Sequence, residues 1–321
     1  MTNMPLVPGM RPGTGRYAGR AFEVRRDALT TVSSSIPVLA EASSTRGGQR
    51  LTLMRPLGGM QSLDLPGLWH YRDLLWSLTA RDIKVRYKQT LLGAAWAVLQ
   101  PVLTMIVLSA VLGPLLGQAA DHPGVAYPIF LYTGLLPWSF FAAAVGNAAG
   151  SFISNAGMIQ KVYFPRLILP LATLGTALVD FAIAGTVLGG MMVWYHTPLS
   201  MAWLLVPLPL AVMVLAAAGV GIWVATLSVT YRDVRYVVPF ALQLGLFLTP
   251  VILPSQRLPG ILRGLVWANP MSGPVETLRA IALGTPLPLA ELAASAAVAL
   301  LCLMGGLVWY GRSVRRFADV V

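Results

Sequence analysis

Between Arg81 and Pro101 the chain reads RDIKVRYKQTLLGAAWAVLQP, a dense cationic run that passes directly into an uncharged apolar one. Charge enters hydrocarbon only at a high cost, so this junction marks where a surface helix turns into a membrane span. Apolar runs of similar length recur to the end of the chain. Hydrophobic residues make up 56% of the sequence and charged residues 11%, against roughly a quarter charged in a soluble domain. A soluble protein of this length has no interior large enough for that much apolar surface.

The formal charge of +11 does not mark a nucleic-acid binder, because the cations cluster in the first third, at two short loops and at the C-terminus. The single cysteine, Cys302, lies inside an apolar run, and His70, His122 and His196 are far apart. Disulfide frameworks and metal-ligand spacings are both excluded. The lysines Lys84, Lys88 and Lys161 follow Ile83, Tyr87 and Gln160, so no Gly-Lys pair exists to form an ATP phosphate loop. No zincin or nucleophile-elbow motif is present. No catalytic, cofactor-binding or metal-binding residue is expected.

The fold class predicted is an all-α membrane protein. Residues 1–66, rich in Gly, Pro, Ser, Thr and Arg, read as a disordered cytoplasmic tail with no cleavable signal peptide. Residues 67–92 read as an amphipathic interfacial helix. Trp69, Trp76, Ala80, Ile83 and Tyr87 make its apolar face, and Arg81, Lys84 and Lys88 lie on another. Residues 93–321 form a six-helix membrane domain with spans near 93–116, 127–150, 167–195, 203–230, 237–254 and 288–310. The third and fourth are long enough to tilt, and the fifth is short. Between the last two spans, 255–287 holds two short apolar-periodic pieces broken at Asn269-Pro270, with Glu276 and Arg279 at i, i+3. These pieces are too short to span and are expected to be re-entrant or surface helices. The distribution of Lys and Arg places both termini in the cytoplasm.

Asp180 is the one ionisable residue at mid-membrane depth. It either lines a polar passage or bonds neighbouring helices. The aromatics Tyr127, Phe130, Tyr132, Trp138, Phe140 and Phe141, with Trp194 and Tyr195, are expected to form an interfacial belt; sugar stacking in a conduit is the alternative. Asn155–Pro165 is a short amphipathic stretch, read either as a loop or as a rigid coupling helix.

Six segments, taken in order, resemble the membrane subunit of polysaccharide-export ABC transporters, the type-2 permeases for O-antigen, capsule or teichoic-acid polymers. They are RDIKVRYKQTLLGAAWAVLQP (81–101), GLLPWSFF (134–141), KVYFPRLILPL (161–171), LVDFAIA (178–184), YRDVRYVVPF (231–240) and NPMSGPVETLRAIALG (269–284). The resemblance runs from about residue 68 to the end. It implies a homodimer in the bacterial inner membrane, bound to two copies of a separate ATP-binding-cassette ATPase that carries the ATP and magnesium. The cargo implied is a polyprenyl-pyrophosphate-linked glycan. Arg81, Lys84, Arg86 and Lys88 stand where the lipid head would arrive, and Asn155, Met158, Gln160, Lys161 and Tyr163 where the ATPase would press. Trp138, Phe141, Asp180, Asn269, Glu276 and Arg279 fall on the conduit and outer gate. A departure stands at Leu253, where relatives often carry an aromatic. The competing readings are a type-2 exporter for drugs or small lipids, a membrane-embedded glycosyl- or acyltransferase, and a passive channel.

Overall fold

In the computed structural model, the structure describes residues 65–88, 93–116, 126–162, 164–197, 200–257 and 259–313. Nearly all of the expected tail, and Tyr163, lie outside them. Among the described residues the regular elements are helices: α1 (Leu65–His70), α2 (Arg72–Lys88), α3 (Ala95–Leu116), α4 (Tyr127–Ser154), α5 (Ala156–Lys161), α6 (Ile168–Trp194), α7 (Pro207–Thr230), α8 (Val234–Leu248), α9 (Gly260–Ala268), α10 (Ser272–Leu283) and α11 (Leu289–Ser313).

Among the described residues, five stretches are long and apolar enough to cross a membrane: Ala95–Pro114, Tyr127–Ser154, Ile168–Trp194, Met201–Thr230 and Leu289–Ser313. The sixth apolar helix, α8, has 15 residues and rises only about 22 Å, short of a hydrocarbon core of about 30 Å. It ends where it does because Thr249 precedes Pro250 and is forced into extended backbone (φ −99°, ψ 144°).

The central helix is α4, packed against α3, α6, α7, α8 and α10. That position corrects the expectation of an aromatic belt. Phe130, Tyr132, Phe140 and Phe152 are among the most deeply buried side chains, and Tyr127, Trp138 and Phe141 are also buried. On a helix that is apolar all round, aromatics fill the core because neighbours cover every face. Only Trp194 and Tyr195, at the end of α6, remain exposed. Helices α4 and α6 run antiparallel: Tyr132 donates to Ala184 O (2.9 Å), and Thr173 donates to Ala144 O (3.2 Å).

The most extensive helix contact is that of α7 with α11. A Cβ on Gly219 would lie 2.6 Å from Leu303 N, and one on Gly306 would lie 3.0 Å from Gly219 O. Small residues let the two backbones touch, as membrane helix pairs require. Trp223 Nε1 donates to Cys302 O (3.0 Å), and its ring stacks on Trp309 at 5.7 Å. By contrast, α3 and α8 are thinly packed. Trp96, Ile106, Val107 and Val111 of α3, and Tyr236, Phe240 and Phe247 of α8, are exposed, and Val238 is the one buried residue of α8.

The segment expected as one interfacial helix is two, split at Tyr71. Its packed face also differs: Leu78 and Thr79 are buried, whereas Trp69 and Trp76 are each 73% exposed. The hydroxyl of Thr79 donates to Ala172 O (3.3 Å), and Tyr87 reaches Asp180. These pairs stand eight residues apart on both helices (79 to 87, 172 to 180), so the latter part of α2 follows the first half of α6 instead of crossing it. Gly175 makes the approach possible, since a Cβ there would lie 2.5 Å from Thr79 Cγ2.

In the 255–287 segment, α9 and α10 are separated at Asn269-Pro270 as the sequence predicts. Ser272 through Ala282 are all buried, so α10 is inserted among α4, α7 and α11 and does not lie on a surface. It closes at Gly284, whose φ of 70° lies in the left-handed region, with Thr285 N–H donating to Ala280 O (3.0 Å). Gly284→Val is expected to cost roughly 1–2 kcal/mol through this backbone alone, measurable as a lowered thermal midpoint in detergent.

Candidate functional site

Two polar centres stand out in an otherwise apolar molecule. The first joins α2 to α6. Asp180 is the thirteenth of the 27 residues of α6, and its side chain is 13% exposed. One carboxylate oxygen accepts from the Tyr87 hydroxyl and the other lies 2.7 Å from Arg86 Nη1. A carboxylate at that depth is stable only when paired. Burial first, and the bond to Asp180 second, push the Tyr87 phenol above its ordinary range. It therefore stays protonated and able to donate at physiological pH. Asp180 thus bonds neighbouring helices, one of the two roles open to it, and also lines a cavity.

That cavity, of about 550 Å³, is bounded by Arg86, Tyr87 and Asp180 and by Trp96, Gln100 and Thr104 of α3. Ser139 and Phe140 of α4 and Phe181 of α6 complete its mixed polar and aromatic wall. A second cavity, of about 570 Å³, lies under α2 against α4 and α6, and its lining is polar: Arg81, Asp82, Asn147, Ser151, Asn155 and Thr176 among others. Arg81 pairs with Asp82 (2.8 Å) and donates to Asn155 Oδ1 (2.9 Å), tying α2 to the α4–α5 corner.

The second polar centre is buried around α10. Arg279 is 2% exposed and Glu276 8%, and Nη1 of the first lies 3.2 Å from Oε2 of the second. The guanidinium also donates to Val251 O (2.9 Å) and lies 4.0 Å from the Phe130 ring centroid. Glu276 accepts from Ser255 N–H (3.0 Å), and Ser255 Oγ donates to Glu291 (3.3 Å). Asn269 donates to Thr249 Oγ1 (2.8 Å) and accepts from Met271 N–H (2.9 Å). The arrangement locks the turn after α8 to α10 and α11.

Residues 73–283 match the profile of the ABC-2 type transporter family. The chain belongs to that family. Among its relatives is the O-antigen export system permease protein RfbA of Myxococcus xanthus, 32% identical over 255 residues, which are 77% of this chain and 93% of that protein. The protein of the same name from Klebsiella pneumoniae is 28% identical over 250 residues, 78% of this chain and 95% of its own. The polysialic acid transport protein KpsM of Escherichia coli is 25% identical over 215 residues, 63% of this chain and 78% of its own.

In this ABC-2 chain, a multi-pass membrane transport subunit, the residues singled out in the sequence fall into separate groups. Arg81 and Arg86 are engaged with Asp82, Asn155 and Asp180, while Lys84 and Lys88 are exposed on α2. On α5, Met158 packs against the core and Gln160 and Lys161 face outward. Trp138 and Phe141 line a third cavity, apolar and about 460 Å³, which Asn269 also borders. Asp180 is absent from that lining and belongs with α2. Sequence reasoning passed over Thr79, Gly175, Ser255 and Glu291. The useful signal was Glu291, a lone carboxylate opening an apolar run. Among the described residues no three His, Cys, Asp or Glu side chains meet as a metal would require.

Proposed function

We propose that this chain is the membrane half of an ATP-driven exporter that carries a polyprenyl-pyrophosphate-linked polysaccharide, of O-antigen or capsule type, across the bacterial inner membrane. One observation carries the reading: more than three-quarters of the chain is similar to proteins named for O-antigen export. The chain works as a homodimer with two copies of a separate ATP-binding-cassette subunit, which binds the ATP and magnesium. It crosses the membrane six times, α8 being the fifth crossing, with both termini in the cytoplasm. The exposed tryptophans of α1 and α2 lie at the inner interface, and α9–α10 form a re-entrant pair at the outer side.

The physical chemistry supports this division of labour. Exposed apolar faces on α3 and α8 leave room for a second copy of the chain to pack against them within the membrane. The α5 corner (Asn155, Met158, Gln160, Lys161, with Tyr163 beyond it) receives force from the ATPase and passes it to α2 through Arg81. Trp138, Phe141 and Asn269 act on the conduit side, and Glu276 and Arg279 hold the outer gate in shape. Lys84 and Lys88, with Arg81 and Arg86 beside them, draw the phosphate head of the carrier lipid.

Deletion of the gene is expected to leave lipid-linked glycan accumulating inside the cell, detected by extraction and mass analysis. Accumulation of a drug or a simple lipid in its place points to the small-molecule exporter reading. Reversing charge at Lys84 and Lys88 together is expected to lower glycan export several-fold while the protein still assembles with its ATPase. Unchanged export removes the two lysines from substrate capture.

A further inference from the structure

Among the described residues, Arg86 is the one side chain that bounds both the polar cavity under α2 and the mixed cavity beside α3. Its bond to Asp180 (2.7 Å) is therefore a partition between two spaces, each large enough for a small ligand. On the polar side, Ser151 and Thr176 are 4% and 5% exposed, and their hydroxyls have no partner among the described residues. Buried hydroxyls are rarely left unpaired without a reason. They stand ready for a ligand that brings its own donors and acceptors. On the other side, Gln100, Thr104 and Ser139 share a largely apolar lining with Trp96, Phe140 and Phe181, a combination suited to polyols.

We infer that the Arg86–Asp180 pair is a gate on a polar path running under α2, and that a phosphate-bearing lipid head group opens it by taking the Arg86 guanidinium away from Asp180. A guanidinium binds phosphate and carboxylate through the same fork of donors, so exchange between them needs no new chemistry. The Arg86 side chain is 44% exposed, against 13% for Asp180, so the cation is the more accessible partner of the pair. Asp180 keeps the Tyr87 hydroxyl when Arg86 leaves, so the carboxylate is not stranded. Ordinary anionic phospholipid and the carrier's pyrophosphate share this chemistry. The assignment of the carrier rests on the proposed function, whereas the gate does not.

The test uses the full chain in inverted membrane vesicles. Cys302, the sole native cysteine, is changed to Ser, and a reporter is placed by Ser139→Cys in the α3-side cavity. Asn147→Cys, at an exposed position lining the polar cavity, serves as the control. Labelling by a charged, membrane-impermeant thiol reagent is timed with Asp180 intact and with Asp180→Asn. The expected result is a rise of about tenfold or more at position 139 on loss of the ion pair, with position 147 unchanged. If Asp180→Asn does not insert, the intact pair decides, through addition of farnesyl pyrophosphate, inorganic pyrophosphate or phosphatidylglycerol. Acceleration by farnesyl pyrophosphate alone assigns the gate to the carrier head. Acceleration by phosphatidylglycerol assigns it to membrane lipid, and acceleration by inorganic pyrophosphate shows that the phosphate suffices. If none of the three accelerates labelling, or if position 139 labels at the same rate with and without Asp180, there is no gate. These rates do not depend on whether an ATPase co-purifies or glycan accumulates, so the two readings fail separately.

Discussion

Arg279→Ala is expected to be among the most damaging single changes in the molecule, lowering stability by about 3–5 kcal/mol. The substitution leaves Glu276, 8% exposed, without its cation. It also strips Val251 O of its donor and opens a void over the Phe130 ring. The checks are the thermal midpoint of the detergent-purified protein and its abundance in membranes, both of which should fall sharply. Glu276→Gln combined with Arg279→Met should recover much of the loss, because removing both charges of a buried pair costs far less than removing one. A single variant that melts with the unmodified protein shows that the pair contributes no stability. Gly134 belongs to the same account: a Cβ there would come within 2.6 Å of Arg279 Nη2 and 3.1 Å of Val251 Cα, so this glycine is the space into which the guanidinium fits.

Gly219→Val should rank beside it. The added Cβ would lie 2.6 Å from Leu303 N and 3.0 Å from Cys302 C. These are backbone atoms of a packed helix, with no flexible side-chain end to yield. Relief requires α7 and α11 to separate, which breaks the Trp223 to Cys302 hydrogen bond and the Trp223–Trp309 stack along the same seam. Overpacking of this kind costs typically about 1–3 kcal/mol, and more when the contact is backbone. The measurement is again thermal unfolding in detergent, with Gly185→Val as the comparison, since a Cβ at Gly185 meets nothing within 4 Å. Equal midpoints for the two variants contradict close packing at Gly219.

Much of this architecture was legible in the sequence. Apolar runs of membrane length report helices whatever they pack against, and Asn269-Pro270 announced a break between two short ones. The Glu276–Arg279 pair was readable because both partners lie one turn apart on one helix. Facing was not readable. A helix apolar on every side gives no sign of which side meets lipid and which meets protein, so the aromatics of α4 read as a belt and proved to be core. The role of Asp180 was equally hidden, since its partners Arg86 and Tyr87 come from a helix about ninety residues earlier. The five membrane-length helices, where six were expected, follow from Thr249-Pro250, which ends α8 early.

The shortness of α8 has a consequence for anything hydrophilic moving beside it. A wall about 22 Å tall leaves part of an oil layer about 30 Å thick without a continuous apolar lining. The neighbouring depth is furnished by the turn after Leu248, where carbonyls, Thr249 and Asn269 supply dipoles. The dielectric barrier is correspondingly thinner there, and a chain of sugars would be rehydrated several ångströms before it left the plane of the lipid.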